Sequence, residues 1–421
     1  MNLIKKILSS SLWLLIGNSI GRLAMFLANI FAARLLTQDQ FGQFAMIRNT
    51  ISSVEGLISG TLGSTVIKKV AETSHNEKEN LPYLLSTIFI INIIISFCIS
   101  LILFFFSDFI VEKFFLNNIT VINALYIGII ILVTTTFSTL MQNILIGFEE
   151  FRKIATLSLI TSTISIPIIF LSIYFFGLYG GLFGVSFYFA FDFMVKYFYY
   201  KKLNHKTKFE LEKFKNESKR ILLFSTPLLL AVIINAFTFW YARVLVINET
   251  NSFKEIAIFD AAFQWLTIIM IITSATTNVA LSMLSKTSND NTETKNIFIT
   301  NLLVNLGISV VIAFVFMLFS KEIMSLYGKD YIIGSTTLII LSITSIFFTL
   351  ATLYNRYMVS ISKIWLLFFA ALLGSIFMFI YLSFQKNLNS EILANSFLIY
   401  FLSGTIMYII SYYFIKRAKY A

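Results

Sequence analysis

Arg22 and Arg48 are the residues whose type and position most demand a chemical role. Both sit inside long apolar runs, and the stretch from Leu12 to Val66 places Asn18 and Asn29 beside the first and Ser52, Glu55 and Ser59 beside the second. At about 100° per residue, Asn18, Arg22, Met25 and Asn29 fall within a sector of roughly 60°, and Arg48, Ser52, Glu55 and Ser59 do the same. Each run, read as a helix, therefore carries one polar stripe. A charged side chain at the centre of a bilayer costs about 2.5–3.5 kcal/mol on the most lenient scale, so the stripes are expected to face a water-filled cavity or partners. Arg22 and Glu55 lie at similar depth in oppositely directed helices and are expected to pair, which would leave Arg48, nearer the outside, as the unbalanced charge. The guanidinium is a planar fork suited to phosphate oxygens, so the expected chemistry is capture of an anionic, phosphate-bearing group by Arg22 and Arg48. The competing reading is a purely structural helix pair with Arg48 snorkelling to the outer headgroups.

The second half of the chain repeats the theme with the opposite sign. Asp260, Gln264, Thr267, Ser274 and Asn278 form a stripe along one apolar run, and Asn235 stands in the run before it. Asp260 is either a site for a coupling proton or cation, or the partner that holds Arg243 on the neighbouring helix. Asn18, Asn29, Ser52, Glu55, Asn235, Gln264 and Thr267 are the expected polar lining. Asp192 and Lys196, one turn apart, form an (i, i+4) pair that neutralises itself and reads as structural. Arg356 falls at the end of an apolar run and reads as interfacial.

No catalytic constellation accompanies these residues. There is no GxxxxGK[ST] loop for ATP, and His75 and His205 fall in polar connections. The single Cys98 cannot form an internal disulfide or a cysteine-based metal site, and its place in an apolar run reads as a small buried core residue. No metal ligand set and no cofactor are expected, and the chain is expected not to be an enzyme. The outer connections are too short for a glycan polymerase, which would also need paired acid and base groups there.

The elements that must position these side chains follow from composition. A chain of 421 residues that is 57% hydrophobic and 13% charged, with a mean hydropathy of +0.83, is a polytopic membrane protein. Windows of about 20 residues, the length that crosses 30 Å of hydrocarbon, pick out twelve helices. Their limits are 11–33, 43–66, 82–107, 119–145, 154–176, 179–199, 220–246, 258–284, 297–319, 334–357, 364–384 and 393–415. Lys5 and Lys6 before the first run resemble a signal sequence, but the run is long enough to span and is read as an uncleaved first helix. Basic residues concentrate in one set of connections, among them Lys68, Lys69, Arg152, Lys153, the cluster from Lys201 to Arg220 and Lys416. The positive-inside rule puts that set and both termini in the cytoplasm. The net charge of +11 is thus topological and lipid-directed, and no nucleic-acid partner is expected.

The long connection 200–219, rich in Lys and Glu with Phe209, Leu211 and Phe214, reads as a basic interfacial linker between a six-helix lobe 1–199 and a six-helix lobe 220–421. "RLLTQDQFGQFAMIRNTISSVEGLISGTLGSTVIKK" from Arg34 and "RVLVINETNSFKEIAIFDAAFQWLTIIMIITSATTNVALSMLSK" from Arg243 share an order of helix-ending Arg, polar turn and long polar-striped span. "NILIGFEEFRKIA" and "NRYMVSISKIWLL" occupy matching places in the two halves. This supports an all-α fold of two repeats around a central cavity, with substrate bound near the midplane. Pro167 and Pro227 are expected to kink or open their helices. Gly17 and Gly21 form a GxxxG contact motif.

The segments "GNSIGRLAMFLANIFAARLLTQDQFGQFAMIRNTISSVEGLISGTLGSTVIKK" and "MQNILIGFEEFRKIATLSLITSTISIPIIFLSIYFFGLYGGLFGV" resemble the polysaccharide flippases of the multidrug/oligosaccharidyl-lipid/polysaccharide exporter superfamily. The resemblance covers nearly the whole chain and is strongest in its first half. It implies movement of undecaprenyl-pyrophosphate-linked oligosaccharide repeat units from the inner to the outer leaflet of the bacterial cytoplasmic membrane. The related peptidoglycan-precursor flippases carry cavity arginines that map by position to Arg22 and Arg48. Twelve spans rather than fourteen, and Asp260 where those flippases have a cationic eighth helix, favour an O-antigen or capsule unit. Lipid-linked oligosaccharide and membrane lipids are the implied partners, with glycan-assembly proteins as further partners to consider. The alternatives are a multidrug or cation exporter of the same fold, which would want an anionic cavity, and a membrane glycan polymerase.

Overall fold

In the computed structural model, which describes residues 21, 23–76, 79–203, 207–286, 291–360, 363 and 365–418, the chain is built from helices and short connections. It divides into two compact units, Met1–Ala236 and Phe237–Ala421. The first holds α1 (Leu23–Leu35), α2 (Gln38–Asn76), α3 (Leu81–Phe105), the short α4 (Ser107–Phe114), α5 (Ile119–Gly147) and α6 (Phe151–Lys202). The division falls inside α7 (Leu211–Thr250). The second unit continues with α8 (Lys254–Lys286), α9 (Asn291–Leu318), the short α10 (Ser320–Ser325), a 3-10 turn at Lys329–Gly334, α11 (Ser335–Ser360), α12 (Trp365–Phe384) and α13 (Ser390–Ala418).

Among the described residues, eight helical segments are long and apolar enough to cross a membrane, and one of them, α6, contains two of the twelve predicted spans. The other predicted spans fall on α1, α2, α3, α5, α7, α8, α9, α11, α12 and α13. The protein is a multi-pass α-helical membrane protein. Large side chains such as Phe97, Phe105, Phe175 and Phe176 stand exposed, as they do on helices whose outer surface meets lipid rather than water. Cys98 belongs to this outer surface and is exposed, contrary to its reading as a core residue. The buried face of α3 runs through Leu84, Leu85, Ile88, Ile91 and Asn92, and Cys98 is turned away from it. An apolar run alone cannot tell lipid from core, because both are apolar.

The break in α6 has a local cause. Gly177 adopts φ 57° and ψ −135°, a conformation that side chains with a Cβ rarely accept. A Cβ on Gly180 would lie 1.9 Å from the carbonyl oxygen of Ser172, so this turn also needs a bare backbone. Beyond it Gly184 meets Ile169 and Asp192 meets Thr161. Successive partners move symmetrically away from Gly177, so the two halves of α6 run antiparallel. Pro167 lies inside the first half.

In the first unit α5 is central, packing on α2, α3 and α6. Helix α1 turns Ala24, Ala28 and Ala32 inward at (i, i+4) spacing and places Phe31 edge-on against Phe170 of α6, with ring centroids 5.1 Å apart. Helix α2 runs beyond the predicted limit at 66 because its last turns continue past the apolar window, with Lys68 and Lys69 paired to Glu72 at 3.8 and 3.2 Å. In the second unit α11 and α13 pack together, flanked by α8, α9 and α12.

Candidate functional site

Helices α1 and α2 bring two of the expected residues together. Arg48 of α2 donates from Nη1 to Oδ1 of Asn29 on α1, and its guanidinium lies 5.4 Å from the centroid of the Phe44 ring, one turn earlier. The two polar stripes therefore meet across the hairpin at this level. Asn29 is buried and Arg48 half-buried, so the amide and the ring orient the fork while part of it stays accessible. Ser52, one turn on, is exposed. Asn18 and Arg22 lie outside the described residues.

Seven residues after Arg48, Glu55 accepts hydrogen bonds from Thr139 of α5, at 3.3 Å, and from Ser59. Its partners among the described residues are thus hydroxyls. The same hydroxyls border a pocket between α2, α3 and α5 that is also lined by Gly63, Asn92 and Asn143. Asn92 is 4% exposed and its side-chain NH2 has no hydrogen-bond partner among the described residues. Sequence reasoning found Glu55 and Ser59 but missed Asn92, Thr139 and Asn143. Their signal was available: Asn92 interrupts the most apolar helix of the first unit, and Thr135, Thr139 and Asn143 recur every four residues along α5.

A second buried cluster holds α5 to both halves of α6. Lys196 donates to Asp192 at 2.5 Å and to Gln142 at 3.0 Å, while Ser138 and Thr161 donate to the two oxygens of Asp192 at 2.5 and 3.2 Å. Both charged residues are 2% exposed. Both carboxylate oxygens accept from hydroxyls and the ammonium has Gln142 as a second acceptor, and such additional hydrogen bonds are what make a buried ion pair tolerable.

In the second unit Arg243 of α7 binds Asp260 of α8. Its Nη2 and Nε lie 3.2 and 3.4 Å from Oδ1 of Asp260, and Nη1 donates to the carbonyl of Phe239 at 2.8 Å. The guanidinium stands 5.0, 5.3 and 5.3 Å from the rings of Phe259, Phe263 and Phe397. Arg243 and Asp260 are both buried. The guanidinium stacks on rings while separate nitrogens reach Asp260 and the Phe239 carbonyl, a combination that the point charge of a lysine does not offer. One turn beyond Asp260, Gln264 accepts from the hydroxyl of Tyr327 at 3.0 Å, and Thr267 donates to the carbonyl of Gln264 at 2.6 Å. Burial pushes the Tyr327 hydroxyl above its ordinary range, so it remains a donor. Asn235 is half-buried on α7 in the first unit, and the side chains of Ser274 and Asn278 lie outside the described residues. Arg356 is half-buried at the end of α11. Among the described residues no three His, Cys, Asp or Glu side chains gather in a way that would hold a metal ion.

The fold is similar to that of several solved transporters. An inward-facing multidrug resistance MATE family transporter of the MOP superfamily superposes with a TM-score of 0.73 at 14% identity, covering 97% of this chain and 99% of the other. The lipid II flippase MurJ in an inward closed conformation gives 0.74 at 17% identity, over 94% of this chain and 86% of the other. A MOP superfamily transporter from Pyrococcus furiosus, described as having a binding pocket of reversed polarity, gives 0.71 at 16% identity over 98% and 95%. No curated protein is matched by sequence. The model of the polysaccharide biosynthesis protein family matches residues 7–269, and the chain belongs to that family.

Proposed function

We propose that this protein is a flippase that carries undecaprenyl-pyrophosphate-linked oligosaccharide units from the inner to the outer leaflet by alternating access between its two lobes. The observation that carries the reading is Arg48. A guanidinium on α2, within the second span expected from the sequence and oriented by Asn29 and Phe44, belongs to a chain of the polysaccharide biosynthesis family. A pyrophosphate is the anionic part of a lipid-linked sugar, and a planar fork accepts its oxygens in pairs. The fold likeness to MurJ, a lipid II flippase by name, supports the same reading.

The energetics need no ATP. Moving a negative charge outward across an inside-negative membrane is favourable by about 2.3 kcal/mol per 100 mV. A headgroup bearing two charges gains about twice that, while the lipid tail stays in the bilayer. Arg22 is the second proposed pyrophosphate ligand, with Glu55, Asn29, Ser52, Asn235, Gln264 and Thr267 as polar lining. The Arg243–Asp260 pair is proposed as a latch of the second lobe, because both residues are buried and three rings surround the guanidinium. The protein is placed in the bacterial cytoplasmic membrane with both termini inside, and its cargo in this reading is an O-antigen or capsule unit.

The test is complementation of a flippase-deficient strain by Arg48→Ala and Arg48→Lys at matched expression. Loss of surface glycan with Ala, and impairment with Lys, are expected; full activity of Arg48→Ala removes the assignment. The MATE likeness favours a second reading, a multidrug or cation exporter. Export of a cationic dye that survives Asp260→Asn and Glu55→Gln would leave that reading without its anionic sites.

A further inference from the structure

One end of the first unit gathers the start of α3, the end of α6 and the start of α7. Leu81, Leu84 and Tyr200 lie in one buried cluster there, with Phe214 and Tyr197 packed against it. The segment before α7 is tied down as well: the amide of Lys208 donates to the carbonyl of Pro82 at 3.1 Å, and Ser86 donates to the carbonyl of Lys208 at 2.5 Å. The linker 200–219 is thus docked on the first unit along part of its length.

At this end three lysines lie over tyrosine rings. Lys213 is 3.9 Å from the centroid of Tyr83, Lys201 is 5.0 Å from Tyr197, and Lys153 is 5.9 Å from Tyr199. Lys153 and Lys201 are exposed, and Lys213, its side chain 41% exposed, also pairs with Glu210 at 3.7 Å, so each ammonium rests on an aromatic face while its lysine stays partly open to solvent. Next to them Phe209 and Leu211 are both 59% exposed. Residues 201–220 contain eight basic and three acidic side chains. Apolar side chains left uncovered beside tyrosines and an excess of lysines match the boundary between acyl chains and anionic headgroups, where rings and stems sit in the apolar layer and ammonium groups meet phosphate. A soluble acidic partner would match the charge but would not explain why Phe209, whose ring touches Phe214, and Leu211 are left more than half exposed at the edge of a membrane-spanning unit.

We propose that this lysine–tyrosine belt, with Phe209 and Leu211, is a docking surface for anionic phospholipid headgroups, and that bound lipid anchors the start of α7. Helix α7 runs from this surface to Thr250, so the anchor acts on the element that connects the two units. The proposal does not depend on what the protein transports.

The test uses the full-length protein in detergent, titrated with phosphatidylglycerol or phosphatidylcholine and followed by native mass spectrometry. Each lysine near an anionic surface is worth about 1 kcal/mol, so Lys201→Gln/Lys213→Gln should weaken phosphatidylglycerol binding about 25-fold and leave phosphatidylcholine unaffected. Phe209→Ser/Leu211→Ser should weaken both lipids. Wild-type binding of phosphatidylglycerol should fall as salt is raised, a measurement that needs no variant. Equal affinity for the two lipids, or phosphatidylglycerol binding unchanged in the lysine variant, overturns the proposal. Displacement of phosphatidylglycerol by a lipid-linked pyrophosphate at lower concentration also overturns it, and assigns the belt to cargo instead.

Discussion

Removing one member of the Asp192–Lys196 pair should be far more damaging than removing both. The pair is 2% exposed at each residue and ties α5 to both halves of α6. Lys196→Met leaves a buried carboxylate with, among the described residues, the hydroxyls of Ser138 and Thr161 as donors, and Asp192→Asn leaves a buried ammonium with the amide of Gln142. Breaking such a pair costs about 3–5 kcal/mol, whereas replacing both charges by neutral groups of similar size is often close to neutral. In Asp192→Asn/Lys196→Met the amide oxygen accepts from one hydroxyl while its NH2 donates to the other, and no charge remains, so the loss should stay below about 2 kcal/mol and the coupling energy should exceed about 3 kcal/mol. Against a total stability of about 5–15 kcal/mol, each single variant gives up a large share of the margin. The assay is equilibrium unfolding in mixed micelles for the four members of the cycle, with transport measured in parallel. Additive losses would refute the coupling, and a stable double variant that no longer transports would refute the purely structural role.

Other substitutions test other parts of the architecture. Arg243→Lys keeps the charge but loses the fork and the fit to three rings, and thermal unfolding should report a loss of about 1.5–3 kcal/mol. Asp260→Asn leaves Arg243 without the carboxylate and should cost about 3–5 kcal/mol; unchanged stability with lost transport would instead make Asp260 a coupling-ion site. Gly180→Val drives a side chain into the carbonyl of Ser172, where a Cβ alone would lie at 1.9 Å, and should reduce the folded yield sharply in detergent-solubilised membranes.

Much of the fold was legible because the bilayer imposes a length and a composition. Where the structure describes them, the apolar windows fall on helices, and the pair at Asp192 and Lys196 follows from one helical turn of spacing. The polar stripes of the hairpin were legible in the same way, and Asn29 and Arg48 do meet. Hydropathy cannot see partners on other helices. Asn92, Thr139 and Asn143 come together through packing of α2, α3 and α5, and the cage around Arg243 draws Phe397 from more than a hundred residues away. Nor does an apolar window distinguish a residue facing lipid from one facing core, which is why Cys98 was misread. The end of α2 also escaped, because a helix continues past the membrane for as long as its own backbone and its Lys68 and Lys69 pairs with Glu72 sustain it.

The central claim is tested most directly by reconstituting the protein in vesicles with a fluorescent undecaprenyl-pyrophosphate oligosaccharide and following its transfer between leaflets under an imposed potential. The account predicts protein-dependent transfer toward the positive side, faster as the potential rises, and lost with Arg48→Ala. Transfer indifferent to the potential and unchanged by Arg48→Ala would contradict it.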